Sequence, residues 1–339
     1  MNLLAGISSA IALIALGFVY FVFWMPNDYG PQGVVVTIPR GASFRAAVDS
    51  LEQSGAIRSG WAFRVAGRVM GYTRSIKVGK YLFHARLSNS GILQDLNEGK
   101  SRMIISVTIP EGWRIETIAR KFSHELGIEA EKFLQHCNDS LFLRQHGIEA
   151  RHIEGYLMPE TYNFYWQTDE QEIVERMIQG FKGFYVDSLA ERAKKLNLTE
   201  NEVLTLASIV EGESGIDEER PIIAGVYWNR LKKKMKLEAD PTIQYAIANG
   251  PRRLFNADLK FQSPYNTYLH YGLPPGPINN PGKQAILAAL YPEQHQYLYF
   301  VATGVGGHRF SKNYSEHQKA VGTFRRIRRD MQHAAAQGG

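Results

Sequence analysis

The chain has 339 residues, of which 44 % are hydrophobic and 21 % charged, and its formal net charge is +6. This balance excludes an extensively disordered or low-complexity protein, and the length allows two compact domains. The modest positive excess suits a polyanionic partner (nucleic acid, anionic lipid or an anionic wall polymer) without choosing among them. Cys137 is the only cysteine, so no intrachain disulfide can form, and the compartment stays open on that count.

Residues 3–24, LLAGISSAIALIALGFVYFVFW, carry no charge. At about 1.5 Å per residue such a helix covers the ~30 Å of a bilayer core. Tyr20 and Trp24 lie toward one end, as an interfacial aromatic belt would. A cleaved signal peptide has a shorter apolar region, about 7–15 residues, that ends in small residues. Here FVFWMPND closes the segment, which predicts an uncleaved anchor over residues 1–25. No Lys or Arg precedes the span, whereas Arg40 and Arg45 follow it, so the positive-inside rule does not support an N-in topology, although a long folded domain can translocate regardless of such charges. Residues 26–33 are rich in Pro, Gly, Asn and Asp and read as a linker.

Beyond the linker, VVVTIP predicts a strand and SFRAAVDSLEQSG a helix capped by Ser43 and ended by Gly55. A second helix (SGWAFRVAGRVMGY), a strand (KVGKYLF) and a short helix near Ile92 to Leu96 complete a small α+β module over 34–105. IPRGASFRAAVDSLEQSGAI, from Ile38, and IPEGWRIETIARKFSHELGI, from Ile109, align at an offset of 71 residues. Each predicts a strand, a turn at glycine and an amphipathic helix.

From about Arg114 the patterns are mainly helical, with a few strands, over a domain expected to span 106–335. Residues 168–196 read as one long helix. TENEVLTLASIVEGESG opens with Thr199 and Glu202 in capping-box spacing and closes at Gly215. DPTIQYAIANG places Asp240 as N-cap and Pro241 at the first helical position. QYLYFVA predicts a late strand, and NYSEHQKAVGTFRRIRRDMQHA a closing helix.

Most standard chemical devices are absent. There is no HExxH, no CxxC and no Walker loop, and GESG lacks the spacing of a nucleophile elbow. His295, His308 and His317 fit no metal-site spacing, so neither a metal nor another cofactor is expected. KKKMK (232–236) and RRIRR (325–329) read as solvated helix faces, and no nucleic-acid partner is expected. What remains is acid/base chemistry by carboxylate. Stepping about 100° per residue from Val203 puts Glu211 and Glu213 on opposite rims of the apolar face, and the wheel alone does not choose between them. Both sit in the last turn, where the helix dipole disfavours a carboxylate anion and partial burial raises its pKa further. A general acid needs that protonated state near neutral pH. Residues 263–282, SPYNTYLHYGLPPGPINNPG, form a run dense in Pro, Gly, Asn and Tyr; unstructured runs of this length are usually functional, and these side chains suit sugar rings and acetamido groups.

Five segments in order, behind one apolar span, carry a resemblance: IEGYLMPETY (153–162), ASIVEGES (207–214), ADPTIQYA (239–246), YNTYLHYGLPPGPINNPG (265–282) and YLYFVATGVGGHRF (297–310). They resemble the MltG (YceG-like) family of endolytic murein transglycosylases; Met158 and Glu160 depart from the Phe and Asp expected there. The resemblance implies an α+β fold with a LysM-like module and a mainly helical, lysozyme-like catalytic domain. It implies that Glu213, followed by Ser214, is the catalytic acid and base. Glu211, Ser214, Asp240, Thr242, Tyr265, Asn266 and Tyr268 become candidates for substrate binding or support. The implied reaction cleaves the β-1,4 bond between N-acetylmuramic acid and N-acetylglucosamine and leaves a 1,6-anhydro end. The implied partners are peptidoglycan glycan strands and cell-wall synthases, with a role in ending strand elongation. The implied location is the cytoplasmic membrane, single-pass, with the catalytic domain on the outer side. A membrane-anchored glycan-binding scaffold without turnover is the alternative.

Overall fold

The computed structural model describes residues 2–84, 86–248 and 250–337. The fold is 51 % helical, and among the described residues the strands form three two-stranded sheets. The chain divides into two compact units: Met1–Val107 with Phe122–Ile128 and Asn163–Asp169, and the remainder, Thr108–Lys121, Glu129–Tyr162 and Glu170–Gly339.

The first unit opens with α1 (Asn2–Phe23), the one helix among the described residues long and apolar enough to cross a bilayer. β1 (Val34–Ile38) follows, then α2 (Phe44–Gln53), α3 (Gly60–Met70), β2 (Gly79–Phe83) and α4 (Asn89–Glu98). β1 and β2 pair antiparallel, with Val36 opposite Tyr81. Their inward residues Val36, Ile38, Tyr81 and Phe83 meet Val48 and Leu51 of α2, Phe63 of α3 and Leu93 and Leu96 of α4 in one core. α2, α3 and α4 each start where the sequence supplies a cap: Ser43, Ser59 and Ser88 accept from the backbone N–H three residues on.

β3 (Ile104–Thr108) leads to α5 (Ile115–Leu126), whose Phe122 meets Phe164 edge-on at 5.8 Å. The repeated strand–turn–helix pattern is realised twice. Gly41 and Gly112 both take φ near +75° in their turns (+76° and +74°), a region that favours glycine. The two helices start differently, because α2 has its own serine cap whereas the Ile115 N–H of α5 donates to Glu154 Oε1.

The second unit continues with α6 (Ala130–Asn138) and α7 (Ser140–Gln145); β4 (Thr161–Tyr165), the partner of β3, starts in this unit and passes into the first at Asn163. The pattern expected as one helix over 168–196 is two, α8 (Glu170–Phe184) and α9 (Asp187–Lys195), separated at extended Val186. α8 packs on α6, whereas α9 packs on α10 (Glu200–Glu213) and α13 (Lys283–Leu290), and one straight helix cannot serve both surfaces. Between these lie α11 (Arg220–Lys232) and α12 (Asp240–Ala246); β5 (Tyr299–Ala302), β6 (His308–Ser311) and α14 (Tyr314–Gln337) close the chain. β5 and β6 form a hairpin across a glycine-rich turn that the sequence reading, with its single late strand, did not contain.

α10 is the centre of this unit. Thr199 and Glu202 form the expected capping box, and every residue from Val203 to Val210 is buried, so the helix has no solvated face for most of its length. Its apolar side chains each contribute about 1.5–3 kcal/mol on burial. The two hydroxyls inside it are spoken for: Thr205 donates to Asn201 O and Ser208 to Thr205 O. The helix ends at Glu213, two residues before the expected Gly215, with extended Ser214 as its C-cap.

The long run at 263–282 is irregular, as expected, yet firmly tied down. Ser208 Oγ accepts from Ile278 N at 3.0 Å, and Asn279 donates to Ser208 O at 2.9 Å. Asn280 is fully buried; its Oδ1 accepts from the N–H groups of Gly155 and Leu157, and its Nδ2 donates to Trp113 O and Glu154 Oε1. Glu154, 1 % exposed, thus joins the start of α5 to this loop.

Burial pushes the Glu154 carboxyl up to about 8, with Glu116 adding to the rise, while Arg114 and the two hydrogen bonds oppose it. The folded protein therefore holds a proton that the unfolded chain, with an ordinary carboxyl near pH 4.5, releases earlier. This contribution is fully present below pH 4.5 and is lost as pH rises through about 8. Glu154→Gln keeps an Oε1 acceptor for both donors but carries no titratable proton. Thermal unfolding of both proteins at pH 5 and pH 8 should show the wild type losing more stability over that interval than the variant; equal losses would place the Glu154 carboxyl outside this linkage.

Candidate active site

Glu213 closes α10 and points at α11. Its Oε1 accepts from the Tyr227 hydroxyl at 2.6 Å. Tyr227 is 1 % exposed and stands edge-on to Phe300 of β5, with ring centres 6.0 Å apart. Burial, reinforced by the neighbouring carboxyl, keeps its pKa far above the usual phenol value, so Tyr227 serves Glu213 as a hydroxyl donor. Glu213 itself is pushed up to about 7, chiefly by desolvation; the Tyr227 hydrogen bond pulls it down, the Asp240 charge pushes it up, and Arg230 pulls it down. A carboxyl poised there exists in both protonation states near neutral pH, as a group that gives and then takes a proton requires.

Two cavities meet at this carboxyl. One, of about 350 Å³, is lined by Glu213, Tyr227, Asp240, Tyr268, Phe300 and His308 among others. The second, of about 320 Å³, has Glu213 and Asp240 again, with Arg114, Tyr245 and Asn279. Glu213 and Asp240 are thus common to both, and polar and aromatic side chains extend to either side of them.

The other residues singled out by sequence divide into two groups. Asp240 and Tyr268 join Glu213 at the cavities, and the Tyr268 hydroxyl donates to Asp240 Oδ1 at 2.6 Å. Asp240 is the first residue of α12 rather than its expected N-cap, which is Ala239, because its carboxylate is engaged by Tyr268 instead of the helix N–H groups. Thr242, Tyr265 and Asn266 do not line either cavity. Thr242 is buried and donates to Ala239 O, with Thr267 Oγ1 2.9 Å away. Asn266, also buried, donates to Leu259 O and Phe261 O and accepts from Tyr268 N, which sets the loop that carries Tyr268. Tyr265 packs against Tyr245 (ring centres 4.8 Å apart), its hydroxyl 3.1 Å from His152 Nε2.

Glu211 and Ser214 are engaged elsewhere. The Glu211 side chain is 6 % exposed, pairs with Arg220 Nη2 at 2.7 Å and accepts from Gly282 N at 2.9 Å. It ties the end of α10 to the start of α11 and to the loop before α13. Burial raises its pKa, against the pull of the Gly282 N–H and of Arg220. The expected symmetry of two rim glutamates is therefore broken: one is locked in an ion pair, the other faces open volume. Ser214 Oγ accepts from Ile216 N and reaches Glu219 Oε2 at 3.4 Å, shaping the turn after Glu213.

Several residues here had no sequence signal. Tyr227 lies within α11, a helix that the sequence reading did not single out. Arg230, nearly buried, donates to Leu298 O, Lys236 O, Leu237 O and Glu238, which fixes α11 to the strand hairpin and to the segment before α12. Glu219 accepts from both the backbone N–H and, at 2.7 Å, the Nδ1 of His308, so the hairpin carries an oriented imidazole to the cavity wall. Burial raises the Glu219 carboxyl, but these His308 contacts outweigh it and leave it below the usual value. Among the described residues no group of His, Cys, Asp and Glu is arranged to hold a metal ion.

The comparisons with known proteins agree in coverage. The model of the YceG-like family matches residues 36–323. A Bacillus subtilis protein named endolytic murein transglycosylase is 33 % identical over 302 residues, which cover 85 % of this chain and 83 % of that one. A Streptococcus pneumoniae protein of the same name is 30 % identical over 323 residues, covering 85 % of this chain but 58 % of its own greater length. A crystal structure of a YceG-like protein from Listeria monocytogenes superimposes with a TM-score of 0.61 at 31 % identity, covering 86 % of this chain and 99 % of that one. By the extent of the family match, and by identity of 30 % or more over most of its length, this chain belongs to the YceG-like family.

Proposed function

We propose that this protein is a membrane-anchored endolytic murein transglycosylase with Glu213 as its single catalytic acid and base. The observation that carries this reading is a carboxyl with a pKa of about 7 at the junction of two cavities. Sugar residues on both sides of the scissile bond fit a cleft that continues in both directions from the acid, as cleavage within a strand demands. The names of the relatives support murein as the substrate. The first unit is the LysM-like, glycan-aligning module, without catalytic groups, and the second is the lysozyme-like catalytic domain. α1 holds both at the cytoplasmic membrane on its outer side, where glycan strands and their synthases meet.

The chemistry follows from one carboxyl. Protonated Glu213 donates to the glycosidic oxygen as the bond from C1 of the muramyl residue to that oxygen breaks. The N-acetylglucosamine leaves with a free hydroxyl, and positive charge develops at the muramyl C1. Glu213, now an anion, takes the proton of the muramyl C6 hydroxyl as its oxygen bonds to C1, which closes the 1,6-anhydro ring and restores the acid. Because the nucleophile is internal, no second carboxylate has to activate water, unlike the two-acid arrangement of hydrolysing glycosidases. Asp240, held by Tyr268, favours the protonated form at the start and faces the developing cation at C1. Glu211 acts only as a strut.

Glu213→Gln keeps the size of the side chain and an acceptor for Tyr227 but cannot deliver a proton. On purified glycan strands it should lose at least roughly 10²–10⁴-fold of the rate of anhydro-product formation while still folding and binding glycan. Glu211→Gln should cost far less in rate and more in unfolding temperature. Anhydro product at wild-type rate from folded Glu213→Gln would contradict the assignment, and glycan binding without any turnover by the wild type would favour the scaffold reading.

The pH profile gives an independent check. Activity should fall as pH rises through about 7, where Glu213 loses the proton it must donate. In Tyr227→Phe the hydrogen bond that pulls this value down is gone, so the alkaline limb of kcat/KM should move to higher pH. A limb that stays in place, or moves down, would mean that Tyr227 does not set the acidity of the catalytic group.

A further inference from the structure

The end of α1 is built into the first unit. The last carbonyls of a helix have no partner within it, and here two of them are taken by α4: Asn89 Nδ2 donates to Val22 O and Ser90 Oγ to Phe23 O, both at 2.8 Å. Val22 is fully buried and belongs to the core of the unit. Asn27, 2 % exposed, donates to Leu87 O and Asn89 Oδ1 and accepts from Arg58 N. The segment read as a linker therefore begins with a fixed junction, and the unit cannot swing about the helix end.

A fixed junction sets the height of what lies beside it. The Trp61 ring at the start of α3 meets Phe18 of α1, with centres 5.8 Å apart, and both remain open to the surroundings, at 52 % and 48 % exposure. Phe18 precedes the end of α1 by five residues, about 8 Å along the axis, while the whole helix of 22 residues measures about 33 Å. With α1 across a hydrocarbon core of about 30 Å, Phe18 lies inside its outer boundary, and Trp61 beside it lies at the boundary or below. Indole rings favour that zone. Arg58 is exposed next to the helix exit, its Nη1 3.7 Å from Met25 Sδ.

We propose that the first unit is seated directly on the phospholipid surface, with the Trp61 ring in the interface alongside Phe18 and Arg58 at the anionic headgroups. The proposal rests on the reading of α1 as a membrane span. It gives the exposed aromatic pair a lipid occupant and makes the outer leaflet a second support for the unit beside the covalent one.

The test uses the full chain in vesicles of phosphatidylethanolamine and phosphatidylglycerol, with or without acyl chains brominated near the headgroup. The chain has five tryptophans, so the share of Trp61 is the difference in emission between the wild type and Trp61→Phe, with circular dichroism as the control for folding. Expected is a Trp61 share quenched by the brominated lipid and insensitive to aqueous acrylamide. A share quenched by acrylamide and untouched by brominated lipid overturns the proposal, and so does one shielded from both, which means a protein cover. These results require that the protein floats with the vesicles; failure to float overturns the span reading and this proposal together, whereas flotation with a water-exposed Trp61 overturns the seating alone.

Discussion

A carboxyl group on the last residue of a helix buried almost all round, one hydrogen bond from a buried tyrosine hydroxyl, is the constraint on which the second unit depends. Partial withdrawal of Glu213 from water raises its pKa, and the helix end it occupies adds no positive dipole to offset that. Such a group is costly in a folded protein. It is tolerated because Tyr227 supplies a short hydrogen bond and because the neutral form can exist at working pH. The same two facts suit it to the proton transfer proposed for it.

The surroundings keep that arrangement in place. α10 has no freedom to shift, since Ser208 and Asn279 stitch the 263–282 loop to its middle, and Glu211 with Arg220 and Gly282 clamps its end. Asn280 and Glu154 carry the same restraint to the start of α5. The loop in turn presents Tyr268 to Asp240, the charge that helps raise the pKa of Glu213. The acid proposed here needs its supporting groups held to a fraction of an ångström; the bonds of Ser208, Asn279, Asn280 and Glu154 are buried, whereas those of Glu211 are partly buried and that of Tyr268 to Asp240 is exposed.

The sequence made some of this legible and not the rest. The capping box at Thr199 and Glu202, the serine caps of the first unit and the irregular 263–282 run depend on neighbours in sequence, and local chemistry suffices to read them. Two glutamates on opposite rims of α10 were also visible, but the helical wheel assumes one solvated face, and a helix buried from Val203 to Val210 has none. What separates them is tertiary: Arg220 and Gly282 for Glu211, Tyr227 and open volume for Glu213. Pairings between distant positions, such as Asp240 with Tyr268, Glu219 with His308, or Asn280 with Glu154, leave no periodicity to detect. The break between α8 and α9 likewise answers to two packing surfaces and to no proline or glycine at the junction itself.

The central claim is that the environment of Glu213 makes it an acid poised near neutrality. Carboxyl ¹³C resonance titration of the protein labelled at glutamate, with Glu213→Gln identifying the signal, reads this directly. A Glu213 carboxyl titrating near 7 is the predicted result. A midpoint near 4.5, the ordinary value for a solvated glutamate, would contradict it, because a group already ionised at neutral pH cannot protonate a glycosidic oxygen.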